Sequence, residues 1–145
     1  MAKRSIDTEI EIDASAEKVW QVFNDFDSYP DWNPYVKSLT GDVAVGNKIA
    51  VRLDPPGGMA MTIKPKVKGY QQGRELRWLG HLGFSGVFDG HHQFKIESLE
   101  GGKTRLTQRE DFSGFLVRPM MRFIQNSTQA GFEAFNQALK ERAEA

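Results

Sequence analysis

Residues 88–112 read FDGHHQFKIESLEGGKTRLTQREDF, and this stretch decides the fold. On both sides of Glu100-Gly101-Gly102, apolar residues recur at every second position, which is the spacing of a strand with one buried face. The break of three residues predicts a hairpin between the two runs. Because successive side chains of a strand point to opposite faces, the even-numbered positions of both runs are expected to face the interior.

The predicted register of this hairpin places polar residues opposite one another on the inward face. A loop of three residues makes Phe94 oppose Gln108 and His92 oppose Glu110, with Cβ atoms about 5 Å apart. A histidine, a carboxylate and an amide are therefore expected side by side on an otherwise apolar wall.

Three interpretations of His92 and Glu110 are open from the sequence. Buried polar groups are costly unless each finds a partner, so the two side chains could satisfy one another as a structural pair. They could instead form a polar anchor inside a ligand cavity, or act as a catalytic acid and base. No nucleophile is predicted beside them.

Beyond the hairpin, apolar residues no longer recur at every second position but about every 3.6 residues. This spacing predicts a long helix over residues 121–139. Its inward stripe is small at Thr128 and Gly131, between the larger Ile124 and Phe135. Small residues in the middle of a helix that crosses a sheet could leave space for a cavity, or they could allow close contact between helix and sheet.

The remaining segments complete an α+β plan. Residues 6–12 alternate apolar and polar side chains, which predicts a first strand. Two short helices are expected after it, one capped by Ser15 and one in the turn-rich stretch 27–34. Short strands follow over residues 36–79, with a bulge or an edge expected at Pro65. This order predicts helices packed on one face of an antiparallel sheet.

Composition narrows the classes of function. The chain has 145 residues, so residues 1–145 are expected to form a single domain. Nineteen basic residues balance nineteen acidic ones, which leaves no net field favouring nucleic acid. The sequence has no cysteine and no run of ~20 apolar residues, so we expect a cytoplasmic protein without stable membrane insertion. No cofactor or metal is predicted, since the adjacent His91 and His92 point to opposite faces of their strand.

Three segments carry a resemblance to a known family. They are IEIDASAEKVWQVFNDFDSYPDWNP (10–34), FDGHHQFKIESLEGGKTRLTQREDFSGFL (88–116) and the terminal helix. Together they resemble the SRPBCC superfamily, whose START-like or helix-grip fold is shared with the birch-pollen allergen, and especially its polyketide cyclase/dehydrase and lipid transport group. The resemblance implies a curved seven-stranded antiparallel sheet wrapped around the long C-terminal helix, which closes a deep cavity.

The resemblance also implies a range of functions. The first hypothesis is binding or transport of an apolar small molecule, such as a lipid, a quinone or a polyketide-like compound. The alternative is a polyketide cyclase/dehydratase-like enzyme that uses His92 and Glu110, and the third is an interaction module like a chaperone activator. The ligand and the oligomeric state are left open. The predicted ligand-binding residues are Trp78, Leu82, Phe84, His92, Phe94, Gln108, Glu110, Phe112, Ile124, Thr128, Gly131 and Phe135.

Aromatase/cyclase members of the superfamily place an arginine in the cavity. In this sequence Arg52, Arg77, Arg105 and Arg109 all fall at outward positions of their strands, and Arg74 is inward only at a strand's end. This departure from the family pattern argues against the cyclase hypothesis.

Overall fold

The structure is a computed structural model that describes residues 3–145. Within that range the chain forms eight strands, three α-helices and two short 3-10 turns. In chain order the helices and strands are β1 (Lys3–Ile12), α1 (Ala16–Asn24), α2 (Tyr29–Trp32), β2 (Val36–Thr40), β3 (Ala50–Leu53), β4 (Met61–Ile63), β5 (Lys66–Gln71), β6 (Glu75–His81), β7 (Asp89–Ser98), β8 (Thr104–Ser113) and α3 (Val117–Glu144).

All strand pairs are antiparallel and fall into two sheets. The larger sheet has the order β1-β8-β7-β6-β5, and the smaller one has the order β2-β3-β4. The segment before β3 joins them, because the Val67 N–H donates to the Asn47 carbonyl at 2.8 Å and the Gly46 N–H donates to the Val67 carbonyl at 2.9 Å. The strands thus continue from one sheet into the other, as a curved sheet requires.

The predicted fold class is confirmed, whereas the number of strands differs from seven. Pro65 accounts for the difference. It lies between β4 and β5, inside the run of alternating apolar and polar residues over 61–68. Proline has no N–H to donate to a ladder, so the run is interrupted there and its two halves pair with different neighbours.

The hairpin of β7 and β8 has the predicted register. His92 pairs with Glu110 and Phe94 pairs with Gln108. The loop between the strands is a 3-10 turn over Glu100–Gly102, and both of its glycines have positive φ, which non-glycine residues rarely adopt. Turn chemistry and hydrophobic alternation therefore specify the same pairing.

Helix α3 crosses the concave face of the larger sheet, as predicted. Its 28 residues extend for about 42 Å at 1.5 Å per residue. Side chains one turn apart meet the sheet, with the Phe132 ring 4.8 Å from the His92 ring and the Phe135 ring 5.3 Å from the Phe94 ring. The first half of the helix meets the sheet less fully, and Phe123 there is exposed.

Aromatic side chains fill the core between α1, α3 and the sheet. Phe94 lies at the centre, with ring centroids 5.1 Å from Phe23, 5.3 Å from Trp78 and 5.3 Å from Phe135. All four side chains are fully buried. Ser15 supports this packing by capping α1, since its hydroxyl accepts a hydrogen bond from the Lys18 N–H, and α1 delivers Phe23 to the cluster.

Truncating the central ring is predicted to cost far more stability than truncating an exposed one. Phe94 is 1% exposed, so Phe94→Ala should lower the free energy of unfolding by about 3–5 kcal/mol. Phe123 is 85% exposed, and Phe123→Ala should change it by no more than about 0.5 kcal/mol. Urea denaturation of both variants measures the difference, and equal losses would contradict the packing described.

Candidate functional site

A chain of hydrogen bonds crosses the interior from β1 to β7. Thr8 donates to the backbone carbonyl of Gln108 at 2.8 Å, and the Asn136 amide donates to the Thr8 hydroxyl oxygen at 2.9 Å. The Gln108 amide donates to Oδ1 of Asn136 at 2.8 Å, and Gln108 Oε1 lies 2.9 Å from Nε2 of His92. Four buried or half-buried side chains from β1, α3, β8 and β7 are thus linked.

The direction of these bonds is fixed by a backbone carbonyl. The Gln108 amide nitrogen also lies 3.4 Å from the carbonyl oxygen of Phe132, which can only accept. Turning the amide over would place two acceptors against one another, so Gln108 must present its oxygen to His92. His92 must therefore carry a proton on Nε2 and donate it.

The other ring nitrogen of His92 faces a carboxylate. Nδ1 lies 3.4 Å from Oε1 of Glu110, which is longer than a good hydrogen bond. With Nε2 protonated, a neutral His92 has only a lone pair at Nδ1. Nδ1 and Oε1 can therefore form a hydrogen bond only when one of the two groups carries an additional proton.

Exposure to solvent rises along this line of side chains. Gln108 is fully buried, the His92 side chain is 3% exposed and the Glu110 side chain is 14% exposed. Water reaches the carboxylate but not the amide. The His92–Glu110 pair thus lies at the boundary between an apolar interior and solvent.

Glycines make room for the side chains of Glu110 and Tyr35. Gly90 lies directly beneath the carboxylate, and a Cβ added there would overlap Oε2 of Glu110. Gly131 of α3 lies against the Tyr35 ring, where a Cβ would come within 2.5 Å of Cδ1. Of the two interpretations open for Gly131, the structure shows close contact rather than empty space.

Tyr35 is also buried. Burial and, secondarily, the charge of Glu110 raise the pKa of Tyr35 well above its ordinary value. The phenol therefore remains neutral and keeps its proton at physiological pH.

Most of the residues predicted for the site lie inside the molecule, but not all line open space. Trp78, Phe94 and Phe135 pack against one another in the filled core. Phe112 stacks on Phe88 with ring centroids 5.5 Å apart. Two further predicted residues lie nearer to solvent than this core. Ile124 is half-buried, and Thr128 is 8% exposed.

Leu82 and Phe84 do not lie on the interior wall, contrary to their inclusion among the predicted binding residues. They are 47% and 81% exposed in the loop between β6 and β7. Strand β6 ends at His81, and Gly83 and Gly86 have φ values of +77° and +94°. The alternation of the strand is therefore lost before these two residues.

Other exposed apolar side chains lie near this loop. Hydrogen bonds from the Phe115 and Leu116 N–H groups to the carbonyls of Gly86 and Val87 hold the loop against the chain leading into α3. Phe115 is 69% exposed there. The interaction-module hypothesis requires an exposed apolar patch, and that hypothesis stays a prediction.

Two depressions lie on the surface formed by residues 3–145. One, of about 390 Å³, lies between β1 and α3 and is lined by Asp7, Thr8, Glu9, Ile10, Gln129, Glu133, Asn136 and Gln137. The other, of about 350 Å³, lies on the outer face of the sheet and is lined by Lys68, Arg77, Leu79 and His91. Thr8 and Asn136 therefore connect the first depression with the hydrogen-bond chain.

Three residues of the site were missed by the sequence analysis. Thr8 shares its strand face with Ile6 and Ile10, and this parity could have marked it as inward. Asn136 lies one helical turn after Phe132, which could also have been noticed. Tyr35 follows a proline in an irregular segment, where no period exists to assign its direction.

Comparisons with known proteins identify the family. The family model described as polyketide cyclase/dehydrase and lipid transport matches residues 3–144. The chain therefore belongs to this family, and the resemblance to START-like proteins is confirmed. No curated protein sequence matches it.

Solved structures show the same fold at low sequence identity. An aromatase/cyclase from Streptomyces has a TM-score of 0.78 at 16% identity, with 99% of this chain and 94% of that chain covered. Norcoclaurine synthase from Thalictrum flavum has 0.73 at 16%, covering 98% and 94%. A START superfamily protein from Mycobacterium smegmatis has 0.72 at 22%, covering 97% of both chains. Identities this low support the fold alone.

Neither a metal site nor a membrane-spanning helix is found in the described part of the chain. No group of three or more His, Cys, Asp or Glu residues within 3–145 is arranged to hold a metal ion. None of the helices in that range is both long and apolar enough to cross a membrane.

The exposure gradient predicts unequal effects of mutation along the polar chain. Gln108→Leu leaves the donor of His92 and the acceptor of Asn136 without partners in a dry core, so it should cost about 1–3 kcal/mol of stability. Glu110→Gln should cost less than about 1 kcal/mol, since water reaches this side chain.

Chemical denaturation of these two variants provides the measurement, and Glu97→Gln on the outer face of β7 serves as the surface control. A larger loss for Glu110→Gln than for Gln108→Leu would contradict the gradient and favour a purely structural His92–Glu110 pair.

Alkaline pH is predicted to destabilise the protein through its buried tyrosines. Burial raises the pKa of Tyr29 and of Tyr35, with smaller contributions from Asp25 and Tyr70 for the former and from Glu110 for the latter. The folded state thus holds these protons more tightly than the unfolded state. Their contribution to stability is complete below the unfolded pKa of about 10 and is lost as the pH rises above it.

Tyrosinate absorbance followed together with circular dichroism tests this expectation. Two of the three tyrosines should ionise only as the protein unfolds. Full ionisation in the folded state near pH 10 would contradict it.

Proposed function

We propose that this protein binds or carries an apolar small molecule whose polar group is held by Glu110 and His92. The observation that carries the proposal is the position of this pair, at the boundary between an apolar interior and solvent. A site with a few polar groups at the edge of an apolar volume is the usual form of a small-molecule site. The family description, which includes lipid transport, supports the same conclusion.

The ligand is proposed to enter at the Glu110 end of the core. The opposite end, where α1 packs, is filled by Phe23, Phe94 and Phe135. Around Glu110 the wall includes a glycine beneath the carboxylate, and the Glu110 side chain itself is partly exposed. Displacing a partly exposed side chain costs less than opening the packed cluster, so access from this end is favoured.

The proposed role of the polar pair is to orient the ligand. An apolar ligand gains most of its affinity from burial of its surface, at about 25 cal/mol per Å². That contribution is non-directional, so a polar anchor is needed to fix one end of the molecule. Gln108 and Asn136 hold His92 in place, and His92 contacts Glu110, which leaves the carboxylate as the group nearest the ligand.

A second candidate is a cyclase- or dehydratase-like enzyme. The closeness of His92 to Glu110 favours it, because an imidazole and a carboxyl group can act as base and acid. Against it, three arginines of the large sheet pair with carboxylates on the outer face: Arg77 with Glu75, Arg105 with Glu97, and Arg109 with Asp7 and Asp111. No buried lysine or arginine among residues 3–145 is then available to stabilise an enolate.

Titration with a fluorescent naphthalene dye tests the binding function. Saturable binding at about one dye per protein is expected for one interior site, and Glu110→Gln should change the affinity by about 3–10-fold by weakening a charged hydrogen bond. Glu97→Gln, on the outer face, should leave the affinity unchanged. Flat titrations with every apolar probe would refute the proposal.

The same samples separate the carrier from the enzyme. Mass spectrometry of a β-hydroxy ketone recovered after incubation should return the compound unchanged if the protein only binds it. Loss of water that depends on His92 would instead establish the enzymatic candidate.

A further inference from the structure

We infer that the ligand of this site is an electrically neutral molecule that donates a hydrogen bond through a hydroxyl or phenol, rather than a fatty acid or a phosphate ester. This inference rests on the proposed function and specifies the class of ligand. It follows from the charge of the polar pair, the absence of a nearby buried cation and the unused acceptor of Glu110.

The composition of the polar pair limits its charge. It consists of one histidine and one carboxyl group, with Nδ1 of His92 3.4 Å from Oε1 of Glu110. Whenever Glu110 is ionised, its negative charge at least balances any positive charge on the imidazole. The pair then offers no surplus positive charge to an anion.

No other cation compensates for a buried anion. The buried polar side chains of residues 3–145 include no lysine and no arginine. A carboxylate or phosphate head group placed beside Glu110 would therefore be desolvated without a counter-charge, and burying an unpaired charge is strongly unfavourable.

The second oxygen of Glu110 is available to accept a hydrogen bond. No hydrogen bond within residues 3–145 reaches Oε2, which lies over Gly90 where a side chain would occupy the same space. A ligand hydroxyl donating to this oxygen would form an O–H···O bond of about 2.5–2.7 Å.

Three ring compounds of nearly equal shape test the inference by calorimetry at pH 7. They are 2-naphthol, which is neutral and donates; 2-methoxynaphthalene, which is neutral and does not donate; and 2-naphthoate, which is an anion. We expect 2-naphthol to bind about 10-fold more tightly than 2-methoxynaphthalene, the usual difference for a hydrogen bond to a charged acceptor. We expect 2-naphthoate to bind most weakly of the three.

Two variants test whether the preference for 2-naphthol depends on Glu110. In Glu110→Gln the preference for 2-naphthol over 2-methoxynaphthalene should fall to about threefold or less, since a neutral amide oxygen is a weaker acceptor. Glu97→Gln, which changes the same functional group on the outer face of β7, should keep the full preference. If Glu110→Gln does not fold, amide NMR shifts of wild-type Gly90, Glu110 and Gly131 on addition of 2-naphthol provide the second measurement.

The possible outcomes separate the inference from the proposed function. Equal affinity for 2-naphthol and 2-methoxynaphthalene, or tightest binding of 2-naphthoate, would overturn the inference while leaving a ligand-binding function intact. Binding of 2-naphthol that shifts only amides of the exposed 82–88 loop would also overturn it. No binding of any of the three compounds would refute the proposed function, and the inference with it.

Discussion

The pairing of β7 with β8 is the constraint on which the rest of the structure depends. Ten residues of each strand are paired, from Asp89 with Ser113 to Ser98 with Thr104. A slip of β8 by one residue would turn its inward side chains outward, and Leu106 and Phe112 would lose their places in the core. The same slip would move His92 and Glu110 to opposite sides of the sheet. Burial of the apolar positions therefore also aligns the polar site.

A line of polar side chains through an aromatic core is unusual, because each group has lost its contacts with water. Here Gln108 compensates for this loss by making three contacts, with His92, Asn136 and the Phe132 carbonyl. These contacts connect β7, β8 and α3, and Thr8 extends them to β1. A fully satisfied network of this kind is rigid and directional. It stabilises one orientation of His92 and thereby determines which ring nitrogen is presented to Glu110.

The core is packed unevenly, which affects where a carrier of this fold can hold its ligand. The aromatic cluster around Phe94 has no space for a ligand, whereas the Glu110 end contains half-buried side chains and two glycines against which larger groups lie. Under the proposed function, stability and binding would depend on different ends of the same interior. Such a division lets one end remain packed while the other adjusts to a guest.

The sequence by itself determined the spacing of apolar residues along the chain. From that spacing follow the strands, the long helix, the hairpin register and the inward direction of His92, Gln108 and Glu110. These features depend on alternation and on turn residues, which are local properties of the chain. The tertiary structure alone decided which partner each polar group finds. His92 is paired with Glu110 in the sheet but bonds to Gln108, two residues before Glu110 on the same strand. Asn136, which also bonds to Gln108, lies 28 residues after it on a helix. It also decided that Tyr35 fills the space left by Gly131, since the direction of a side chain in an irregular segment is set by packing and not by any period.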